Sequence, residues 1–198
     1  MDRHFTRRFV VASGLAACAV PASARTRIYD LVANRSQITF TFVAGGAAQS
    51  GTLPVATADI RVDTGRLTNS RAEVTADIRN IKSGLILVTQ AIKSPDLLDA
   101  ETHPIVRFKS TAIRLGAKGR ISSGAQIEGD LTLRGVTRPL ALEAMLSRPA
   151  GTAPDDLSVL NIRLNGTLSR AAFGATGYAG LAEDAVGLDI RAEIQART

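Results

Sequence analysis

The run Ile127-Glu128-Gly129-Asp130-Leu131-Thr132-Leu133-Arg134 decides the fold class. Apolar or side-chain-free residues hold one parity, and charged or hydroxylated residues hold the other. Successive side chains of a strand point to opposite faces, so this run buries one face and wets the other. Working outward, the same period of two returns along the chain. Ile38, Phe40 and Phe42 alternate with Gln37, Thr39 and Thr41, and Ala58, Ile60 and Val62 with Asp59, Arg61 and Asp63. It recurs at Val74, Ala76 and Ile78, at Val106 and Phe108, and at Leu140 and Leu142. The last runs are Ile162, Leu164, Gly166 and Leu168, then Val186, Leu188, Ile190, Ala192 and Ile194. Those eight half-buried strands suit a closed antiparallel barrel or a two-sheet sandwich. Closure removes exposed edges. An eight-stranded barrel leaves an interior that side chains fill or that holds one small ligand.

One segment breaks the period. Leu87 to Leu98 reads as a short helix, restarted at Pro95 with Ser94 as N-cap. In an all-β chain such a helix plugs one mouth of a barrel or covers a sheet edge.

The chain has 198 residues, of which 45% are hydrophobic, so one domain with a substantial core is expected and a disordered chain is excluded. Tryptophan is absent, and the core must rest on Leu, Ile, Val and Ala. The net charge is +6; Arg3, Arg7 and Arg8 against Asp2 supply +2 of it, leaving +4 scattered among acids. No basic stripe with interleaved aromatics is present, so nucleic acid is not an expected partner.

Residues 1–24 read as a signal peptide ahead of a single domain at 25–198. Arg3, Arg7 and Arg8 form a basic start, Phe9 to Val20 an apolar stretch too short to span a bilayer, and Ala22-Ser23-Ala24 a cleavage site. Thr6-Arg7-Arg8-Phe9-Val10-Val11 resembles a twin-arginine export signal, with the general route as the alternative. Cys18 is the only cysteine. Leu15-Ala16-Ala17-Cys18 resembles a lipobox, which makes Cys18 a candidate lipid anchor at a membrane surface; cleavage after Ala24 discards it instead. The expected location is the periplasm or exterior, with a membrane-anchored lipoprotein as the alternative.

Three motifs go further than periodicity. They are Leu98-Asp99-Ala100-Glu101-Thr102-His103-Pro104-Ile105-Val106-Arg107-Phe108-Lys109-Ser110, Gly129-Asp130-Leu131-Thr132-Leu133-Arg134-Gly135-Val136-Thr137-Arg138-Pro139-Leu140, and Ser169-Arg170-Ala171-Ala172-Phe173-Gly174. In this order and spacing they closely resemble the YceI-like family, and Tyr29 with Ser36-Gln37-Ile38-Thr39-Phe40 resembles its first strand. The similarity spans residues 28 to 196. The resemblance implies an all-β, eight-stranded antiparallel lipocalin-like barrel, exported to the bacterial periplasm. It implies a polyisoprenoid chain or isoprenoid quinone in an apolar tunnel, with no enzymatic activity established for the family as a whole. The chain departs from the family pattern at four places. The family often has Asp at the position of Val32, His at that of Arg35, an Arg-Asp pair at Val88-Thr89 and His at Ala91. The resemblance places those residues around the helical lid and the mouth. A more apolar mouth here favours a neutral quinone or another apolar ligand over a polyprenyl phosphate.

The candidate tunnel lining is Ile38, Phe40, Phe42, Val106, Phe108, Leu131, Leu133, Leu164 and Phe173. Parity alone leaves an ordinary packed core open; the resemblance favours the tunnel. Gly129 and Gly166 fall on the inward parity, where they leave internal space or mark bends. Arg170 continues that parity inward, and an inward guanidinium is costly unless paired. It is a candidate head-group contact for a phosphate or quinone oxygen, or else half of an ion pair with Asp184 or Asp99, or the strand ends before it. His103, the only histidine beyond the leader, reads as a turn residue. One His without Cys supplies no zinc set and no nucleophile partner. The expectation is no catalytic residue, no metal and no cofactor besides the bound isoprenoid lipid or quinone. The rivals are an interaction domain with a filled core and a hydrolase of lipid-linked substrates; the oligomeric state is not legible.

Overall fold

The structure, a computed structural model, describes residues 26–116, 119, 123–153 and 155–197. The signal-peptide reading and Cys18 lie outside those residues. The strands are β1 (Thr26–Leu31), β2 (Gln37–Ala44), β3 (Ala47–Leu53), β4 (Val55–Asp63), β5 (Arg71–Asp77) and β6 (Lys82–Ser83). Helix α1 (Ile86–Lys93) follows, then β7 (Ile105–Leu115), β8 (Ala125–Leu133), β9 (Val136–Ser147), β10 (Val159–Ser169) and β11 (Ala185–Ala196). Among the described residues no helix is long and apolar enough to cross a membrane.

The sheet runs β1-β4-β5-β7-β8-β9-β10-β11-β2-β3-β6, and a β1–β11 pairing closes it. The β2–β3 ladder (Ile38↔Leu53 to Ala44↔Ala47) and the β1–β4 ladder (Thr26↔Asp63 to Tyr29↔Ile60) are two halves of one long hairpin. Its first arm breaks at the 3-10 turn Ala33–Arg35, and its second at Pro54. Proline offers no N–H to a ladder, so pairing lapses there. Ser36 patches the first break: its hydroxyl donates to Val32 O (2.9 Å) and accepts the Glu193 N–H (3.2 Å). β5 and β6 are likewise one path, interrupted by the 3-10 turn Ile78–Asn80. Counted as paths, the ring is an eight-stranded antiparallel barrel, one of the two architectures the alternation allows and the one the family resemblance implies.

Turn chemistry fixes the registers. Gly45 (φ 60) and Gly46 (φ 74) join the paired Ala44 and Ala47, and Arg134 (φ 51) and Gly135 (φ 72) join Leu133 and Val136. Two successive left-handed residues make the tight hairpin turn whose twist matches the flanking strands. The β7–β8 register slips between Ser110 and Ala112. There the buried Ser110 hydroxyl accepts the Ala72 N–H at 2.9 Å, satisfying a donor at the end of the β5–β7 ladder. Outside, cross-strand pairs such as Arg107–Glu73, Arg114–Glu128 and Arg163–Asp189 occupy the wet parity. Exposed pairs of this kind add little to stability.

Two buried clusters stack along the barrel. Tyr29, Ile60, Leu160 and Ile194 form the floor, with the Tyr29 hydroxyl donating to Leu157 O at 2.7 Å. Phe40, Leu131, Leu133, Leu140 and Leu142 form the upper cluster with Ile81 and Ile92. Helix α1 covers that upper end, but it stops sooner than Leu98. Ser94 is its C-cap, with extended backbone and its N–H on Ala91 O; it is not the N-cap of a restarted helix. Pro95 excludes helical backbone at the residue before it. The chain continues as turns, with the Leu98 N–H on Ile92 O and the Ala100 N–H on Lys93 O.

Candidate functional site

The barrel encloses a cavity of about 310 Å³. Ile60 belongs to its floor, and Ile92, Leu97 and Leu98 to its roof. Ile38, Phe40 and Phe42 from β2, Val106 and Phe108 from β7, Leu131 and Leu133 from β8, and Leu164 from β10 line its wall. Phe173 does not. It sits in the 3-10 turn Ala171–Phe173 and is buried in the upper cluster instead. The backbone turns helical at Arg170 (φ −65, ψ −34), so strand parity no longer governs where Phe173 points.

The inward glycines are not empty space. A Cβ on Gly51 would lie 2.2 Å from Phe40 Cζ, one on Gly129 2.4 Å from Phe108 Cζ, and one on Gly166 2.6 Å from Leu142 Cδ2. Each glycine is a seat for a large side chain. Phe40 and Phe108 lean sideways over the adjoining strand, which keeps their rings off the barrel axis. Phe40 also stacks with Phe42, ring centres 6.0 Å apart. These seats depend on register between strands, so a single run of sequence carries no sign of them.

Two polar residues of the cavity lining, Arg170 and Glu183, lie at its upper rim, whereas Thr75 and Arg191 lie lower along β5 and β11. Arg170 lines the cavity, although β10 ends at Ser169 and strand parity does not reach Arg170, and its partners are backbone carbonyls rather than Asp184 or Asp99. Nε donates to Glu183 O (2.9 Å), Nη1 to Ala175 O (2.6 Å) and Gly177 O (2.7 Å), and Nη2 to Ala182 O (2.8 Å). That commits four of the five guanidinium N–H groups. Asp184 instead accepts the Ala171 N–H at 2.8 Å. The hydrogen bond from Ser169, that N–H and the Arg170 charge hold its carboxyl below the usual value. Arg134 donates to Pro95 O (2.7 Å) and to Gly174 O, and Arg138 to Ala172 O (3.3 Å). Three guanidiniums thus brace the loop 170–184 and the turn after α1. His103 packs against the Gly135 turn and donates its backbone N–H to Asp99 O. Among the described residues no group of three or more His, Cys, Asp or Glu could hold a metal ion.

The four departures do not share one place. Val88 packs against the upper cluster, and Thr89 Oγ1 accepts the Ser83 N–H. Val32 and Arg35 lie instead at the break between β1 and β2, where Arg35 pairs with Glu193 at 3.0 Å. Arg35 borders a second hollow, about 490 Å³, lined by Asn34, Gln37, Thr52, Lys82 and Arg191 among others. Those strand residues have the outward parity. The outer hollow is lined mostly by polar residues, whereas the inner one has the concave apolar walls of small-molecule sites.

The YceI-like domain family matches residues 29–196. A UPF0312 protein of Vibrio parahaemolyticus is 28% identical over 142 residues, which cover 70% of this chain and 73% of that one. A UPF0312 protein of Pseudomonas savastanoi is 35% identical over 88 residues, 43% of this chain and 42% of that one. Among solved structures, Burkholderia cenocepacia BcnA superposes with a TM-score of 0.72 at 16% identity, over 83% of this chain and 99% of its own. A polyisoprenoid binding domain from Saccharophagus degradans, implicated in plant cell wall breakdown, gives 0.60 at 14% identity, over 86% and 99%. At these identities the likeness to both structures is one of fold.

Proposed function

This chain belongs to the YceI-like family, and on that premise we propose that it is a non-enzymatic carrier or reservoir for an isoprenoid lipid of polyprenyl or quinone type. The observation that supports this most is the cavity of about 310 Å³, walled mostly by aliphatic and aromatic side chains. The polyisoprenoid-binding domain among the structural neighbours adds support at the level of the family.

The cavity has room for an apolar chain. Each buried CH₂ contributes about 0.8 kcal/mol, so affinity needs no polar contact, and ordering of the chain offsets part of the gain. Arg170 has one N–H left for a head group after its four carbonyls. A neutral quinone or another apolar ligand therefore suits the site better than a polyprenyl phosphate. The reading includes no metal, no catalytic residue and no cofactor besides the lipid. It places the protein in the periplasm or outside the cell, on the strength of residues 1–24.

A short-chain quinone added from detergent solution tests it. The wild type is expected to take up about one equivalent. Phe108→Asp, which sets a charge in the apolar wall, is expected to lose uptake or folding. Absence of uptake by the wild type, or unchanged uptake by a folded Phe108→Asp protein, overturns the proposal.

A further inference from the structure

We propose that the first turn of α1 is a membrane-docking tip, through which the cavity exchanges its ligand with a lipid bilayer. This rests on the carrier reading above. Leu85, Ile86 and Leu87 are consecutive and 58%, 78% and 79% exposed. A helix packed on one face needs apolar residues three or four apart, and Val88 and Ile92 already meet that need. The three residues before them add nothing to the packing of α1. Single exposed aliphatics are ordinary, but three in a row on the element that roofs an apolar cavity are not.

Their place in the barrel gives them a use. β6 pairs with β3 at Gly51 and Thr52 and leads straight into α1. The tip therefore lies at the upper end of the barrel, as does the Gly45–Gly46 turn. Another exposed leucine, Leu181, adjoins that turn and accepts the Gly45 N–H on its carbonyl at 2.8 Å. The opposite end is closed by the fully buried Tyr29, Leu160 and Ile194, so exchange goes through the roof.

A bilayer is the occupant these features fit. An isoprenoid suited to the cavity is equally at home among acyl chains, and passage between them through water exposes every CH₂. A stable dimer buries roughly 800 Å² on each partner, well beyond what one helical turn offers. A bilayer needs no groove, and shallow insertion of a few apolar side chains gives the reversible binding a carrier requires. Lys82, exposed and without an ion pair among the described residues, precedes the tip by three residues and adds a cation to the outer face below it.

The chain has no tryptophan, so Leu87→Trp puts a single reporter on the tip and Thr68→Trp one at the far end. Vesicles of phosphatidylcholine and phosphatidylglycerol with brominated acyl chains are expected to blue-shift and quench the first and leave the second unchanged. Comparing two positions in the full chain cancels any binding through residues 1–24. The pair Ile86→Asp and Leu87→Asp is expected to slow quinone transfer from vesicles by roughly tenfold or more. Its melting temperature and its uptake from detergent are expected to match the wild type. An unshifted, unquenched Leu87→Trp emission, or unchanged transfer in the aspartate pair, overturns the proposal. So does a wild-type dimer that the aspartate pair converts to monomer, which assigns the tip to a second copy. A protein whose tip docks but which takes up no quinone from detergent refutes the carrier reading and leaves the docking tip standing.

Discussion

A missing side chain governs the interior as much as the side chains present. Gly51 and Gly129 let Phe40 and Phe108 lie against the wall. An added methyl at either glycine meets a ring carbon and also a backbone carbonyl at 2.6 Å, Lys82 O or Lys109 O. The ring has room to move but the carbonyl does not. Gly51→Ala and Gly129→Ala are therefore expected to lower stability by about 1 to 3 kcal/mol and to drive the rings into the lumen. Chemical denaturation and quinone uptake check this, and both should fall together. Arg170 shows the same dependence on contacts remote in sequence. Parity pointed it inward, but the strand ends one residue before it, and its carbonyl partners were not legible, since a backbone carbonyl has no sequence signature. Arg170→Met is expected to cost about 1 to 3 kcal/mol. It should also raise amide exchange across 175–183, with little change in the floor. Unchanged exchange there would refute its role as a brace.

At the scale of elements, the alternating strands were legible because each has one wet and one buried face. β3, Ala47–Leu53, was missed because its sequence AAQSGTL lacks that contrast; β2 and β6 hold it in the sheet. The helix was found but overextended, since apolar spacing continues past Ser94 while Pro95 forbids its backbone. The turn from β4 to β5 was also unread. There Asp63 is buried and accepts the Arg66 N–H (2.8 Å), the Gly65 N–H (3.0 Å) and the Asn69 amide (3.4 Å). The Arg66 N–H does most to hold its carboxyl below the ordinary 3.8. Asp77, Asp184 and Asp189 are held low as well, chiefly by Arg79, Ser169 and Arg163. Carboxylates with depressed values stabilise the fold at pH above 3.8, and that contribution is lost as pH falls through their lowered values. The melting temperature is expected to be level above about pH 5 and to drop in acid. Asp63→Asn should melt lower at neutral pH and show a shallower acid limb. An acid limb as steep as the wild type's would contradict this role for Asp63.

For the whole molecule, eight alternating runs fitted a closed barrel or a two-sheet sandwich, and only the family resemblance favoured the barrel and its open axis. Whether a barrel is filled depends on where large side chains lean, and here cross-strand glycines decide it. Leu164→Trp separates the two cases. In a barrel with a cavity of about 310 Å³, the larger ring fills space, so stability should change by less than about 1 kcal/mol while quinone uptake fails. In a filled barrel, overpacking would cost about 1 to 3 kcal/mol. The most direct measurement of the central claim is native mass spectrometry of the protein as purified, with a solvent extract of the same sample. The account expects one bound species per chain, extractable into apolar solvent and carrying an isoprenoid mass. Protein that flies without an adduct, even after incubation with quinone, would contradict it.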